Sequence, residues 1–339
     1  MTPHPSKPRH RRSLAVATGL LALVAPLAAV AVSSAPAEAS NTKTHHVKMY
    51  KVEAQVDLDG EYPDNSTHTH LSCGAGDYAL DGMWRVDSVD QANPDTDTFG
   101  DERDVEVTAS YGDTADMTKW HFEITNRADG DAQLKIFLTC LQGTTEGQHG
   151  HSHAITVTNK TLPASNNQAD GDWEKEYTAQ CAVGQYAVAP GFKIANGSAR
   201  PYGSYMTTDF RGWKWGFVNS STPDIQPYLR CLTIRTGAAG AGGHVHKLYA
   251  QWFPGYAGDM DFVPVKHQTE RQYSCTNKFY DKGMVASWWI NDHQYTYWLG
   301  MDPRPKTRAF RYWREAGGDG KTYIALLCIG TRTSKQQAP

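Results

Sequence analysis

Six cysteines in three repeated pairs are the feature that most constrains how this 339-residue chain can fold. A tyrosine follows the first cysteine of each pair by five residues, and a histidine that opens an extended run precedes that cysteine by 27, 28 and 29 residues. The three sets are His46, Cys73 and Tyr78, then His153, Cys181 and Tyr186, then His246, Cys275 and Tyr280. Repetition at a near-constant spacing indicates one structural unit present in three copies.

The second cysteine of each pair ends a segment with apolar residues at every other position. Leu134, Ile136 and Leu138 lead to Cys140 in the first copy, and the other copies end in the same way. Period two with one apolar face is typical of a half-buried strand. Turn signals recur along the chain and long helical periodicity is missing from the sequence. We therefore predict an all-β fold of three tandem β-sandwich-like modules.

The repeat also predicts how the cysteines pair. The sequence has no Cys-x-x-Cys motif, so disulfides are expected rather than metal thiolates. One disulfide is predicted within each module: Cys73–Cys140, Cys181–Cys231 and Cys275–Cys328.

A tryptophan motif marks two of the copies. Trp120 begins a Trp-His-Phe sequence with Asn126 after it, and Trp215 begins a Trp-Gly-Phe sequence with Asn219 after it. The distance to the asparagine is shorter in the second copy. The third copy has only Phe310 and its neighbours in that place, which makes it the most divergent copy.

The first 39 residues are interpreted as a cleavable signal peptide. A basic start precedes an Ala-, Leu- and Val-rich stretch at 14–32, and Ala37 and Ala39 form a small-x-small cleavage site. Arg11 and Arg12 loosely match a twin-arginine export signal. The alternative is an uncleaved membrane anchor, since 14–32 is just long enough to span a bilayer.

We accordingly expect a secreted, extracellular protein whose mature form lies outside the membrane. Its modules are placed at 40–142, 150–236 and 243–333. Charge is uneven along them. Residues 46–140 hold 7 basic and 20 acidic residues, whereas 246–339 hold 13 basic and 8 acidic residues. The mature net charge of −6, from 29 Lys and Arg against 35 Asp and Glu, argues against a nucleic-acid partner. The two unlike ends predict head-to-tail self-association.

The combined pattern resembles a known kind of module. A Cys-x-x-Gly-x-Tyr motif, a later glycine, Trp-x-Phe with an asparagine, and an apolar strand ending in cysteine are similar to a module repeated in secreted proteins of actinobacteria. The stretch from Asp302 to Phe310 is similar to a signature of the last module in some of them, although Cys275 lacks the following glycine. Those proteins mostly have no assigned function, so the resemblance implies location and fold and carries over no catalytic residue.

Histidines at the module starts are the strongest candidates for chemistry. His151 and His153, and again His244 and His246, form His-x-His motifs, in which both imidazoles face the same side of an extended strand. Such pairs predict zinc or copper binding. The first module has Thr44 where the others have a second histidine. A third ligand would come from elsewhere in the chain, with His68, His70, His267 and His293 as candidates. The alternative is that these histidines only cap strands and bond to neighbouring loops.

An acidic loop in the first module is a candidate calcium site. Asp95, Asp97, Asp101 and Glu106 are spaced like EF-hand ligands. Phe99 stands at a ligand position and no helical pattern flanks the loop, so the alternative is a solvated acidic loop.

The third module is rich in tryptophan and arginine. Trp288, Trp289 and Trp298 suggest stacking on sugar rings, and Arg304 and Arg308 suggest contacts with anionic groups of a cell wall or with an acidic protein. The alternative is that the tryptophans fill a core and the arginines lie on a solvated strand.

The sequence contains none of the common catalytic motifs, neither Gly-x-Ser-x-Gly nor His-Glu-x-x-His nor a phosphate-binding loop. The leading hypothesis is therefore a non-catalytic exported structural or binding protein that acts through repeated β-modules. One alternative is a glycan- or cell-wall-binding, lectin-like protein that uses module 3. The other is a metal-binding protein or metal-dependent enzyme that uses the His-x-His motifs.

Overall fold

The strands of this chain are set by the period-two pattern, and a computed structural model gives their bounds. It describes residues 44–60, 65–89, 102–128, 130–160, 162, 165–166, 174–196, 199–219, 224–254, 268–275, 280, 282–291, 293–304, 307–314 and 321–336. The predicted signal peptide, 1–39, lies outside the described residues. So does most of the predicted calcium loop, including Asp95, Asp97 and Asp101.

The described residues form β-strands and one short 3₁₀ turn, Glu102–Asp104. The strands of the first module are β1 (Met49–Leu58), β2 (Asn65–Ser72), β3 (Tyr78–Val89), β4 (Val105–Gly112), β5 (Lys119–Asn126) and β6 (Ala132–Leu141). Those of the second are β7 (Val157–Lys160), β8 (Ser165–Asn166), β9 (Glu174–Gln180), β10 (Gln185–Asn196), β11 (Ala199–Met206), β12 (Gly212–Asn219) and β13 (Asp224–Thr233). Those of the third are β14 (Val245–Lys247), β15 (Ala250–Pro254), β16 (Gln268–Ser274), β17 (Lys282–Ile290), β18 (Thr296–Pro303), β19 (Thr307–Arg314), β20 (Thr322–Ile329) and β21 (Ser334–Gln336).

Three large antiparallel sheets contain all of these strands except β14 and β21, which pair with each other, and each large sheet is shared by two modules. Their strand orders are β1-β6-β3-β18-β19-β16, β2-β5-β4-β10-β13-β7 and β15-β20-β17-β11-β12-β9, with β8 beside β13. Each module gives three strands to one sheet and three to the next, so the same permutation occurs three times. The all-β prediction is confirmed, and Thr42–Pro339 forms one compact unit.

The strand that holds the second cysteine of each module, here called its closing strand, lies between two strands of the same module. In β6, which pairs with β1 and β3, Leu134, Ile136, Leu138 and Cys140 are fully buried. Their alternation was the signal for a half-buried strand. The stretch 137–141 is buried throughout, since residues on the other face of β6 are also covered.

The three predicted disulfides are present: Cys73–Cys140, Cys181–Cys231 and Cys275–Cys328. Each one joins the end of a strand in one sheet to the closing strand in another. Cys73 follows β2 and Cys140 lies in β6, for example, and these strands belong to different sheets. The bond therefore ties together the two halves of a sandwich-like module.

The tryptophan motif aligns differently from the expectation. Trp120 stands opposite Gly112 at the end of its hairpin, and Trp213, not Trp215, has the equivalent place opposite Met206. The indole nitrogens of Trp120 and Trp213 each donate to a serine, Ser110 or Ser204, at 2.9 Å. With this register the asparagine follows the tryptophan by six residues in both copies, which removes the mismatch in the sequence. Arg308 occupies the same position in the third module.

A glycine follows the repeated tyrosine in each copy, at Gly82, Gly191 and Gly283, and close packing requires it in the first two. A Cβ on Gly191 would lie 2.7 Å from the carbonyl oxygen of Ser110. A Cβ on Gly82 would lie 1.8 Å from Nε1 of Trp120. Gly283 is not its structural equivalent, because Gly283 stands opposite Cys328 just as Ala79 stands opposite Cys140. The third module is thus shifted in register after Cys275.

The acidic first module and the basic third module lie side by side in one sheet. Strand β3 pairs with β18, and Arg85 forms an ion pair with Asp302 at 2.8 Å. Unlike charges of the two modules therefore already meet within one chain, while association between chains stays a prediction. No helix in the described part of the chain is long and apolar enough to cross a membrane.

Candidate metal centre

A threonine at the end of each module forms a hydrogen bond with a histidine at the start of another module. Thr145, Thr236 and Thr333 each follow a closing cysteine by five residues. The backbone N–H of Thr145 donates to the carbonyl of His153 at 2.9 Å, and that of Thr236 donates to the carbonyl of His246 at 2.9 Å. Thr333 completes the ring.

Thr333 connects the last module back to the first. Its N–H donates to the carbonyl of His45 at 3.0 Å, and its hydroxyl donates to the same oxygen at 3.0 Å. One histidine from each module is therefore fixed in the same way, and the three backbone segments close a ring.

The three imidazoles meet where the modules converge. Ring centroids are 4.6 Å apart for His45 and His153, 4.7 Å for His45 and His246, and 4.5 Å for His153 and His246. All three residues have no exposed surface. The near-equal spacing reflects the threefold repetition of the sheets.

Hydrogen bonds at Nδ1 orient these rings. Nδ1 of His45 lies 3.1 Å from the carbonyl oxygen of Glu146, and Nδ1 of His153 lies 2.9 Å from that of Gly237. Nδ1 of His246 lies 2.6 Å from the hydroxyl oxygen of Thr333, whose proton is already donated to a carbonyl. The two carbonyl oxygens can only accept, and the Thr333 hydroxyl accepts from His246 while its own proton is donated to His45. In this arrangement each Nδ1 carries the proton and each Nε2 offers a lone pair.

The three Nε2 atoms are buried without a hydrogen-bond partner among the described residues. A ring nitrogen fixed by a hydrogen bond on its other side is the usual arrangement of a metal-binding histidine. Buried polar atoms without partners are costly in a folded protein and call for an explanation. A metal ion bound by these three atoms would supply one.

Two further histidines complete the cluster. Nδ1 of His244 and Nε2 of His151 are also buried and lack a partner within the described part of the chain. The ligand atoms of His45, His153, His244 and His246 all lie within 4.8 Å of one another. The ring of His151 lies 4.8 Å from that of His45.

The glycine-rich segment before His244 makes room for these rings. Gly240 has a φ of 71°, and a Cβ there would lie 2.7 Å from Nε2 of His151 and 2.9 Å from Cε1 of His244. A glycine is needed at this turn because of both its backbone conformation and the close rings.

The electrostatic environment keeps the central imidazoles neutral. Burial lowers the pKa of His45 and of His153, and burial together with the neighbouring imidazoles lowers the pKa of His246 to about 4. Neutral imidazole is the form that binds metals. A set of nitrogen donors without carboxylates suits zinc, copper or nickel and does not suit calcium or magnesium.

This burial predicts how the metal-free protein responds to acid. Its free energy of unfolding should fall as the pH drops from about 6.5 towards about 4, because the unfolded chain takes up protons that the folded cluster does not. Above that window the histidines are neutral in both states and the effect disappears. For His246 alone the loss should be about 1–2 kcal/mol near pH 5. Urea unfolding in the presence of a chelator measures it. A His246→Gln variant with the same pH slope as the parent would contradict the prediction.

Of the histidines proposed from sequence, four come together here: His151, His153, His244 and His246. His45 joins them, although it is not among the ligands predicted from the sequence. His45, and not His46, is the structural equivalent of His153 and His246. Counted from His45, the distances to the first cysteine are 28, 28 and 29 residues, a closer agreement than from His46. That spacing, with the threonine five residues after each closing cysteine, is the signal that could have identified it.

The other histidines considered as ligands lie elsewhere. His68 and His70 are on the exposed face of β2, where Nε2 of His68 lies 3.1 Å from Nδ1 of His121. His293 stacks on Tyr202 and pairs with Glu174. His267 lies outside the described residues.

The predicted calcium loop lies mostly outside the described residues. Of its proposed ligands only Glu106 is described, and its carboxylate pairs with Arg127 at 3.0 Å. Calcium binding by this loop stays a prediction.

Two members of the predicted ligand surface in module 3 are not available to a ligand at the surface. Trp288 and Arg308 are 3 % and 2 % exposed. Trp288 stacks on Trp298 at 4.3 Å because both indoles fill the space between two sheets. Trp289 is half-buried against Tyr202, and the side chain of Arg304 is exposed. Glycan binding through these remaining residues stays a prediction.

Comparisons with known proteins do not assign this chain to a family. No family model matches the chain, and no curated protein matches it either.

Proposed function

We propose that this protein is a non-catalytic exported β-protein that binds a transition-metal ion at the histidine cluster and uses it to fasten its three modules together. One observation carries the proposal. Five imidazole nitrogens from three modules converge in the interior without hydrogen-bond partners among the described residues. Zinc and copper are the ions that fit such a donor set.

A structural role fits the site better than a catalytic one. Structural metal sites are closed, whereas catalytic sites keep a position open for water or substrate. Here His45, His153 and His246 have no exposed surface, and His244 offers a fourth nitrogen. An ion bound to them would link the start of each module to the other two.

Export is the second part of the proposal. The three disulfides indicate an oxidising environment such as the cell exterior. The signal-peptide pattern at 1–39 and the resemblance to secreted actinobacterial modules support the same location. A metal ion and three disulfides would then stabilise the same small modules outside the cell.

Titration of the chelator-treated protein with zinc and with copper tests metal binding directly. We expect saturable binding and a rise in the melting temperature, because a ligand that binds only the folded state stabilises it by about 2.7 kcal/mol at a hundred times its Kd. The signals should remain in a His70→Ala variant, which removes an exposed histidine outside the cluster. A parent protein that binds neither ion, or one whose binding is lost in His70→Ala, would exclude the proposal.

A further inference from the structure

A second candidate site lies away from the histidines, in a cavity of about 580 Å³ between the first and third modules. Strands β1, β6, β17, β18 and β19 contribute its walls. Its charged lining side chains are those of Lys51, Lys282, Arg304, Arg308 and Asp302. Four are cationic and one is a carboxylate, so the lining carries a net charge of +3 in a protein that is acidic as a whole.

Arg308 brings a buried positive charge to this cavity. It takes the place that Trp120 and Trp213 have in the other modules. Its Nη atoms donate to the carbonyl oxygens of Arg304 and Gly283 at 3.0 and 2.9 Å. Its Nε is buried without a hydrogen-bond partner among the described residues. The buried carboxylate of Asp81 offsets part of its charge through space, but no described carboxylate forms an ion pair with it.

A comparable arginine in the second module shows what a fully satisfied guanidinium looks like. Arg230 lines a smaller cavity of about 320 Å³ and donates to the carbonyls of Ala79, Asp113 and Met117 at 2.6–2.8 Å. Its Nε donates to Asn159 at 3.2 Å. Among the described residues every donor group of Arg230 has an acceptor, whereas Nε of Arg308 has none.

Two other cations of the larger cavity, Lys282 and Arg304, have weak or no ion pairs among the described residues. Lys282 stands opposite Ile329, the position that Tyr78 has opposite Leu141, and forms no ion pair within the described part of the chain. Arg304 lies 3.7 Å from Glu270 and 3.9 Å from Asp302.

The remaining two charges are partly offset. Lys51 pairs with Glu53, which is itself exposed. The carboxylate of Asp302 is occupied by Arg85. The third module thus differs from the other modules at two positions of this cavity. Lys282 stands in place of a tyrosine and Arg308 in place of a tryptophan, and each difference adds a positive charge.

We propose that this cavity binds the phosphoryl group of a small organic phosphate. A doubly charged oxyanion matches several converging cations better than a single carboxylate does, and both guanidinium and ammonium groups bind phosphate through charge-assisted hydrogen bonds. The volume exceeds that of a phosphate ion and falls within the range of small-molecule sites. Met49 and Pro303 line it as well and would contact the organic part.

Calorimetric titration of the metal-free protein with inorganic phosphate and with glycerol 3-phosphate tests this, because a bound metal then cannot account for phosphate binding. We expect saturable binding of both, tighter for the ester. A Lys282→Ala variant should bind at least about tenfold more weakly, the loss expected for one charge-assisted hydrogen bond. Lys214→Ala, which removes a lysine of β12 paired with Glu176, should bind like the parent.

An Arg308→Trp variant, which restores the residue of the other modules, should abolish binding. If that variant does not fold, the comparison of Lys282→Ala with Lys214→Ala decides. No saturable binding of either probe, or equal weakening in the two lysine variants, would overturn the proposal. Binding of inorganic phosphate without any binding of the ester would overturn its organic part.

Discussion

Replacing His45 by alanine is expected to remove most of the metal-dependent stabilisation of this protein. His45 supplies one of three equivalent Nε2 atoms, and the loss of one ligand from a closed site should weaken metal binding by about a hundredfold or more. At an ion concentration that stabilises the parent by about 2.7 kcal/mol, the variant would gain only about 0.4 kcal/mol. The measurement is the difference between metal-bound and metal-free unfolding free energies, which cancels the cost of the substitution itself.

His46→Ala is the matched control. His46 is the adjacent residue, forms a backbone bridge with Arg332, and makes no ring contact with the cluster among the described residues. It should retain the full metal effect. His153→Ala and His246→Ala should behave like His45→Ala, because the three rings are equivalent. Equal effects in the His45 and His46 variants would refute the assignment of His45.

Removing the disulfide of the first module is expected to cost about 4 kcal/mol of stability, since it closes a loop of 67 residues in the unfolded chain. The double variant Cys73→Ala, Cys140→Ala tests this by denaturant unfolding. The bond also joins strands of two different sheets, so its loss frees β2 from the closing strand β6. The expected loss is a large share of the net stability of a small domain, which is about 5–15 kcal/mol.

The other two disulfides should give nearly the same result. They close loops of 50 and 53 residues, and the entropic cost depends only on the logarithm of loop length. A matched control is Gln55→Ala, Gln133→Ala, a double change on the exposed faces of β1 and β6, which should cost well under half as much. A loss below about 1 kcal/mol for the cysteine variant would contradict the chain-entropy explanation.

The parts of the fold that sequence could predict are those encoded locally or repeated. Alternation around Leu134 and Ile136 identifies a strand from its neighbours alone, and three copies of a spacing identify which cysteines pair. The same information was ambiguous for the tryptophan motif. Trp213 and Trp215 are two residues apart and face the same side of their strand, so alternation cannot tell which one matches Trp120. Pairing with β11 and a bulge between Pro201 and Gly203 decide it.

The histidine cluster shows the same limit at the candidate site. The His-x-His motifs pointed to His151, His153, His244 and His246, but not to His45. Adjacent residues on a strand face opposite sides, and a shift of one residue exchanges them. Whether His45 or His46 faces the interior depends on the bridge to the far end of the chain, at Thr333.

The sequence by itself therefore determined the repeat, the all-β class and the disulfide pairing, because these depend on short-range periodicity and on equal spacing. Tertiary structure alone decided that the modules share sheets, that five histidines meet, and that Arg308 is buried beside a cavity. Each of these depends on pairing between strands of different modules. The threefold closure that brings His45, His153 and His246 together exists only when the last module meets the first.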